Sequence, residues 1–202
     1  MPRLKTRILQ FFFPRCIWYI PKSPAVYITF DDGPHPVTTS IALAVLKKHQ
    51  VKAVFFCVGS EVEKYPDLYQ QIIAQGHTVG NHTFSHENGW TTPQKDYIES
   101  VRTASKVISS RLFRPPYGKI TFSKTRKIRQ LGYKMIMWSW MSYDFILDNS
   151  LEKHTSRIHQ ISAGDILVFH DNAKTMRVLE RYLELTFEYL SHRNIPTQLL
   201  NP

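Results

Sequence analysis

The chain has 202 residues, 43% of them hydrophobic and 21% charged, with a formal net charge of +10 and two cysteines. That balance excludes a disordered chain and a disulfide scaffold, and it suits a single domain with one sizeable core. The positive excess points toward an anionic partner or surface.

Residues 1–24 read as a basic, aromatic extension and residues 25–202 as the folded domain. The extension carries Arg3, Lys5, Arg7, Arg15 and Lys22 with no acid, beside Phe11, Phe12, Phe13, Trp18 and Tyr19. Its apolar run is broken by Pro14 and Arg15, well short of the roughly 20 residues that a spanning helix needs. It also lacks the long apolar core and small-residue cleavage site of a secretory signal. The expectation is a cytoplasmic protein, or one attached peripherally to an anionic membrane through these cations and rings. The competing use of the aromatics is to cover one end of a soluble domain.

From residue 25 onward, apolar runs alternate with amphipathic stretches, the pattern of repeated βα units. Strands are predicted at 25–30, 53–58, 78–80, 112–114, 133–138, 165–170 and 196–200. Helices are predicted at about 38–49, 60–75, 93–110, 121–131, 151–162 and 173–193. Thr92 followed by Pro93 reads as a helix start, and Gly76 and Gly132 stand where helices should stop. The predicted fold is α/β, a distorted (β/α) barrel with about seven parallel strands and its functional groups at the strand C-terminal ends. Between Val101 and Tyr143 there are ten Lys or Arg and no acid. This stretch is either a solvated helix face or a surface that steers an anionic glycan, phospholipid or nucleic acid. No nucleic-acid-binding signature accompanies it, so no nucleic acid partner is expected.

Four short blocks carry chemistry. In TFDDGP, Asp31 and Asp32 close an apolar strand before a Gly-Pro turn, so one carboxylate can bind a metal while the other faces a reacting water. Asp-Asp-Gly-Pro alone is also an ordinary turn. In HTFSH, His82 and His86 are four apart; on a helical turn both imidazoles reach one ion, and with a carboxylate they make a divalent-metal triad. In RPPYG, Arg114 can hold a carboxylate in its charged form, and the rigid turn can aim a backbone N–H at an oxyanion. A structural salt bridge is the plainer use of Arg114. His170 ends the apolar DILVFH strand and has the pKa range to protonate a leaving group.

In this order the four blocks resemble the polysaccharide deacetylases of carbohydrate esterase family 4, the NodB-homology domain, over residues 25–200. The resemblance implies a NodB-like distorted barrel with a divalent metal, Zn²⁺ foremost and Co²⁺ or another transition metal as substitutes. It implies removal of acetyl groups from N-acetylglucosamine-containing glycans, or from O-acetylated ones. It makes Asp32, His82 and His86 the metal ligands, Asp31 the general base and Arg114 its holder. The Tyr117 backbone N–H becomes an oxyanion donor and His170 the general acid. The chain departs from the family in MWSWMSYDF, where Ser139 and Met141 stand at places that could take an Asp and Phe145 replaces a Trp. Asp144 is then the candidate to orient His170, with Asp171 a weaker one. Partners expected on this basis are an acetylated glycan and no second chain. The other readings are an O-acetyl esterase of xylan type and a non-catalytic glycan- or membrane-binding protein. Trp90, Tyr117, Trp138 and Tyr143 are candidate sugar-stacking rings.

Overall fold

A computed structural model describes residues 6, 8–11, 13–146 and 150–201. Arg3, Lys5, Arg7 and Phe12 lie outside these. Among the described residues, eight strands form one sheet in the order β1-β6-β5-β4-β3-β2-β8-β7, with every neighbouring pair parallel. The strands are β1 (Cys16–Ile17), β2 (Tyr27–Asp31), β3 (Ala53–Cys57), β4 (Thr78–Asn81), β5 (Leu112–Phe113), β6 (Lys134–Ile136), β7 (Trp140–Met141) and β8 (Ile166–His170). Helices α1 (Thr38–Lys48), α2 (Gly59–Lys64), α3 (Pro66–Ala74), α4 (Gln94–Ala104), α5 (Phe122–Gln130), α6 (Leu151–Ile158) and α7 (Leu179–His192) connect them.

The strand count exceeds the expected seven, and its membership differs. Residues 196–200 contribute only an isolated bridge, Val26 to Thr197, because Pro196 withholds an N–H from a ladder. The two strands not foreseen, β1 and β7, are two residues long, too short for any period-2 signal. β1 pairs with β6, so the sheet takes in Cys16 and Ile17 from the segment read as an extension. Just after it, Tyr19 bridges Asp165 and the Ile20 N–H donates to the Gly164 carbonyl. Gly164 permits that approach, since a Cβ there would lie 2.5 Å from the Ile20 oxygen.

The expected 60–75 helix is broken at Tyr65–Pro66, where the ring lacks the N–H that would continue α2. The helix expected from Thr92 starts at Gln94 with Pro93 in the cap position and stops at Ala104, well before residue 110. Gly76 and Gly132 do end helices, with φ of 79° and 88°.

Burial follows strand alternation. In β2 and its neighbours, Ile28, Phe30, Phe55, Leu167 and Phe169 pack against the helices, with Phe30 stacked on Phe55 at 4.7 Å. The alternate residues Tyr27, Val54, Phe56, Ile136 and Ile166 fill the concave side. β4 needs a glycine there: a Cβ on Gly80 would sit 2.4 Å from the Phe56 ring. Replacing Gly80 with Ala is expected to lower unfolding stability by about 1–3 kcal/mol in urea denaturation, as overpacked cores do.

Candidate active site

Period-2 alternation puts Thr29 and Asp31 on the concave side of β2, and both meet Arg114 at the end of β5. The Arg114 Nη1 donates to the Asp31 carboxylate and to the Thr29 hydroxyl, each at 2.7 Å. Nε and Nη2 donate to the carbonyls of Ile136 and Met137 at 3.1 and 2.8 Å, while the guanidinium lies 4.1 Å over the Phe56 ring. Arg114 is fully buried, so these acceptors replace all of its water. Burial pushes its pKa down and Asp31 opposes that. Arg114 and Asp31 thus form a buried ion pair at 2.7 Å.

Asp32 turns away from Asp31 because its backbone is left-handed, with φ of 85°. Its carboxylate meets the Nε2 atoms of His82 and His86 at 3.5 and 2.9 Å. These three side chains bring their donor atoms within 4.8 Å of one another. The two histidines do not share a helical turn as expected. They lie in the loop after β4, where Thr83 and His86 adopt φ of 66° and 58° and fold the chain back on itself. Asn81 stabilises that bend by accepting the Thr83 N–H at 2.9 Å.

The donor set suits a divalent ion. His82 Nδ1 is 2.7 Å from the Arg114 carbonyl, an atom that can only accept, so Nδ1 carries the proton and Nε2 keeps its lone pair. His86 Nδ1 is likewise engaged, by the Tyr117 hydroxyl at 3.1 Å. Burial alone would raise the Asp32 pKa, yet the two imidazoles and His170 hold its carboxyl well below the usual range. Two imidazole nitrogens and one carboxylate leave coordination positions open for water and substrate.

The β2–β8 register sets Asp31 beside His170. His170 Nδ1 faces Asp144 Oδ1 at 2.7 Å, and the His170 backbone N–H donates to Asp144 Oδ2 at 2.8 Å. That two-point contact fixes the ring and leaves Nε2 for the cleft. Phe145 meets the ring edge-on at 4.9 Å. Burial lowers the His170 pKa, but Asp144, with smaller contributions from Asp32 and Asp31, raises it to about 9. Ser139 does not take the place of a missing carboxylate partner. Its hydroxyl donates to Asp165 at 2.8 Å, at the opposite end of β8 from His170.

Asp171 does not orient His170 either. It accepts the Gly33 N–H at 3.0 Å and the Thr39 hydroxyl, tying the end of β8 to the turn that carries both aspartates. Gly33 is required there, because a Cβ would strike the Asp171 carboxylate at 2.0 Å. Sequence reading missed Thr29, Asn172 and this use of Asp171. Asn172 donates to Asp32 Oδ2 at 2.6 Å; its position two residues after His170 was its only signal.

These groups open onto one cleft of about 920 Å³, whose wall includes Tyr117, Lys119, Trp138, Phe145 and Lys174. Tyr117 sits at φ 60° in the turn after Arg114. Of the four candidate stacking rings, Tyr117 and Trp138 face the cleft. Trp90 is exposed beside Lys119, and Tyr143 lies beneath the Arg157 guanidinium.

Residues 20–136 match the sequence profile of the polysaccharide deacetylases. The chain belongs to the polysaccharide deacetylase family. It is thereby a hydrolase of carbon–nitrogen bonds with the NodB-like barrel expected from its motifs. A peptidoglycan-N-acetylglucosamine deacetylase of Bacillus cereus is 30% identical over 164 residues, covering 76% of each chain. A chitooligosaccharide deacetylase of Bradyrhizobium is 34% identical over 154 residues, 73% of this chain and 70% of the relative. The crystal structure of the peptidoglycan N-acetylglucosamine deacetylase Bc1960 superimposes with a TM-score of 0.82 at 26% identity, covering 91% of this chain and 89% of that one.

The His170–Asp144 pair has a measurable signature. The folded His170 pKa lies above the ordinary ~6.5, so its contribution to stability is complete below that value and is lost as pH rises through about 9. NMR titration of the metal-free protein should place His170 near 9, and Asp144→Asn should bring it down. An unchanged value would remove Asp144 from that role.

Proposed function

We propose that this polysaccharide deacetylase removes acetyl groups from an N-acetylglucosamine-containing poly- or oligosaccharide of peptidoglycan or chitin type. The observation that carries the reading is the convergence of three paired sets on one cleft: Asp32 with His82 and His86, Asp31 with Arg114, and His170 with Asp144. The names of the relatives support the N-acetylglucosamine substrate class.

Asp32, His82 and His86 would hold the metal, and their nitrogen-rich donor set favours Zn²⁺ over a harder ion. When bound, such an ion supplies Lewis-acid polarisation of the acetyl carbonyl and a lowered pKa for water. Asp31, oriented by Arg114, removes the proton of the attacking water. The Tyr117 backbone N–H donates to the developing oxyanion. His170, whose charged form Asp144 sustains, delivers a proton from Nε2 to the departing nitrogen.

Amine expulsion depends on that proton more than alkoxide expulsion does. The intact His170–Asp144 pair therefore favours the N-deacetylase over the O-acetyl esterase.

Acetate release from N-acetylglucosamine oligomers, measured beside acetylated xylan, tests the reading; faster turnover of xylan would favour the esterase. Asp31→Asn should lower kcat by about 10²–10⁴ while metal content stays at the wild-type level, the usual cost of losing a general base. His82→Ala should lose the metal itself, read by elemental analysis. Wild-type turnover by the Asp31 variant would refute the proposed base.

A further inference from the structure

A group of cations and rings outside the cleft meets where the N-terminal segment packs beside α5. Phe13 stacks on Phe122 at the start of α5, with centroids 4.7 Å apart and planes within 8°. Pairing of β1 with β6 brings the N-terminal segment to the same edge of the sheet, and Arg129 on α5 lies close enough to influence the Cys16 thiol. A helical turn over residues 8–11 ends against Phe13, whose N–H donates to the Leu9 carbonyl at 2.7 Å. This places Ile8, Leu9, Phe11 and Phe122 on a common surface, with exposures of 48%, 38%, 80% and 66%.

α5 buries Lys124, Thr125 and Ile128 and turns Arg126, Lys127 and Arg129 outward. Arg15 and Arg111 are exposed as well, and α4, packed beside α5, adds exposed Arg102, followed by Lys106, beside its own exposed Asp96 and Glu99, so the cations outnumber the acids on this side. From Phe122 the strip continues toward the cleft. Lys119 on the cleft wall lies 5.2 Å from the ring centre of Trp90, which is exposed, and Gly89 bridges Ile120.

We propose that residues 8–11 with Phe13, together with the outward face of α5, form a docking surface for an anionic lipid bilayer. Charge complementarity selects this occupant. A second copy of the chain would bring cations against cations in a two-fold contact. A soluble polyanion would use the arginines and lysines but leave Ile8 and Leu9 without a role, since aliphatic side chains do not stack on bases or sugar faces as rings do. A bilayer uses both: acyl chains take the aliphatic and aromatic side chains, and anionic headgroups take Arg126, Lys127 and Arg129. No helix of the described residues is long and apolar enough to cross a membrane, so attachment would be peripheral. The strip leads into the cleft, so docking would present the active site to glycan close to a membrane surface.

The test is co-sedimentation of the full chain with phosphatidylcholine vesicles, with and without phosphatidylglycerol. Wild type should partition onto the anionic vesicles and be released by salt. The triple variant Arg126→Gln, Lys127→Gln, Arg129→Gln should bind them about 100-fold more weakly, at roughly fivefold per surface cation. Phe11→Ser combined with Phe122→Ser should weaken binding further in salt, where the apolar contribution remains. Phe11→Trp should show a blue-shifted emission on anionic vesicles. Acetate release from a soluble oligosaccharide should stay at wild-type values in all three variants. Thermal unfolding should do so in the charge variant and in Phe11→Trp, while loss of the Phe13–Phe122 stack lowers it slightly in the Phe double variant.

The proposal is overturned if wild type ignores anionic vesicles, or if the charge and Phe variants bind as wild type does. It is equally overturned if the same variants abolish self-association instead. Binding of a soluble polyanion that displaces vesicles and is indifferent to Phe11 and Phe122 would assign the surface to that ligand. None of these outcomes bears on the deacetylase assignment, which is read from acetate release.

Discussion

The buried Arg114 is the interaction on which the site depends. One guanidinium, without solvent, joins β2 through Thr29 and Asp31 to the end of β6 through two carbonyls. The backbone carbonyl of the same residue sets the tautomer of His82. The proposed base and one proposed ligand are thus positioned by two ends of one amino acid. An unpaired charge in that place would cost several kcal/mol, so truncating either side chain is strongly destabilising, whereas asparagine at position 31 keeps an oxygen that can accept from Arg114. This pair is better understood as a positioning device than as a source of stability, because desolvation consumes much of its Coulombic gain.

Around this pair, the remaining geometry follows from parallel strand register. β2 lies between β3 and β8, so its end brings Asp31 level with Phe56 on one side and His170 on the other. Left-handed backbone at Asp32, Thr83, His86 and Tyr117 then redirects the chain at each strand mouth. Such conformations cost energy for residues with a Cβ. Here they are held by specific partners: Asn172 on Asp32, Asn81 on Thr83, and the Tyr117 hydroxyl on His86. Asp171 and Gly33 complete the scaffold by locking together the two chain segments that carry the aspartates and His170.

The altered segment after β6 is explained by the same logic. A carboxylate at position 139 would meet Asp165 rather than His170, and the serine found there suits that acidic neighbour. Asp144 supplies the histidine's partner from further along the chain, reaching both the ring and the backbone N–H.

How much of this was legible before folding depends on the range of the interaction concerned. Carboxylates and imidazoles at the ends of buried apolar runs are costly unless used, so Asp31, Asp32, His82, His86, Arg114 and His170 stand out from the amino-acid sequence alone, as does the alternating α/β order. Local chemistry also marked the helix ends at Gly76 and Gly132. What the linear pattern could not contain was anything set by partners distant along the chain: Asn172 on Asp32 across 140 positions, Asp171 on Gly33 across 138, the Thr29 bond to Arg114 across 85. Two-residue strands such as β1 and β7 carry no periodicity of their own and exist because a neighbouring strand offers its ladder. A four-residue histidine spacing fits a helical turn and a left-handed loop equally well, and only the surrounding hydrogen bonds chose the loop. Residue identity determined which chemistry was available; tertiary register decided which atoms meet, because hydrogen bonds and ligand geometry act over about 3 Å while sequence neighbours constrain only the local backbone.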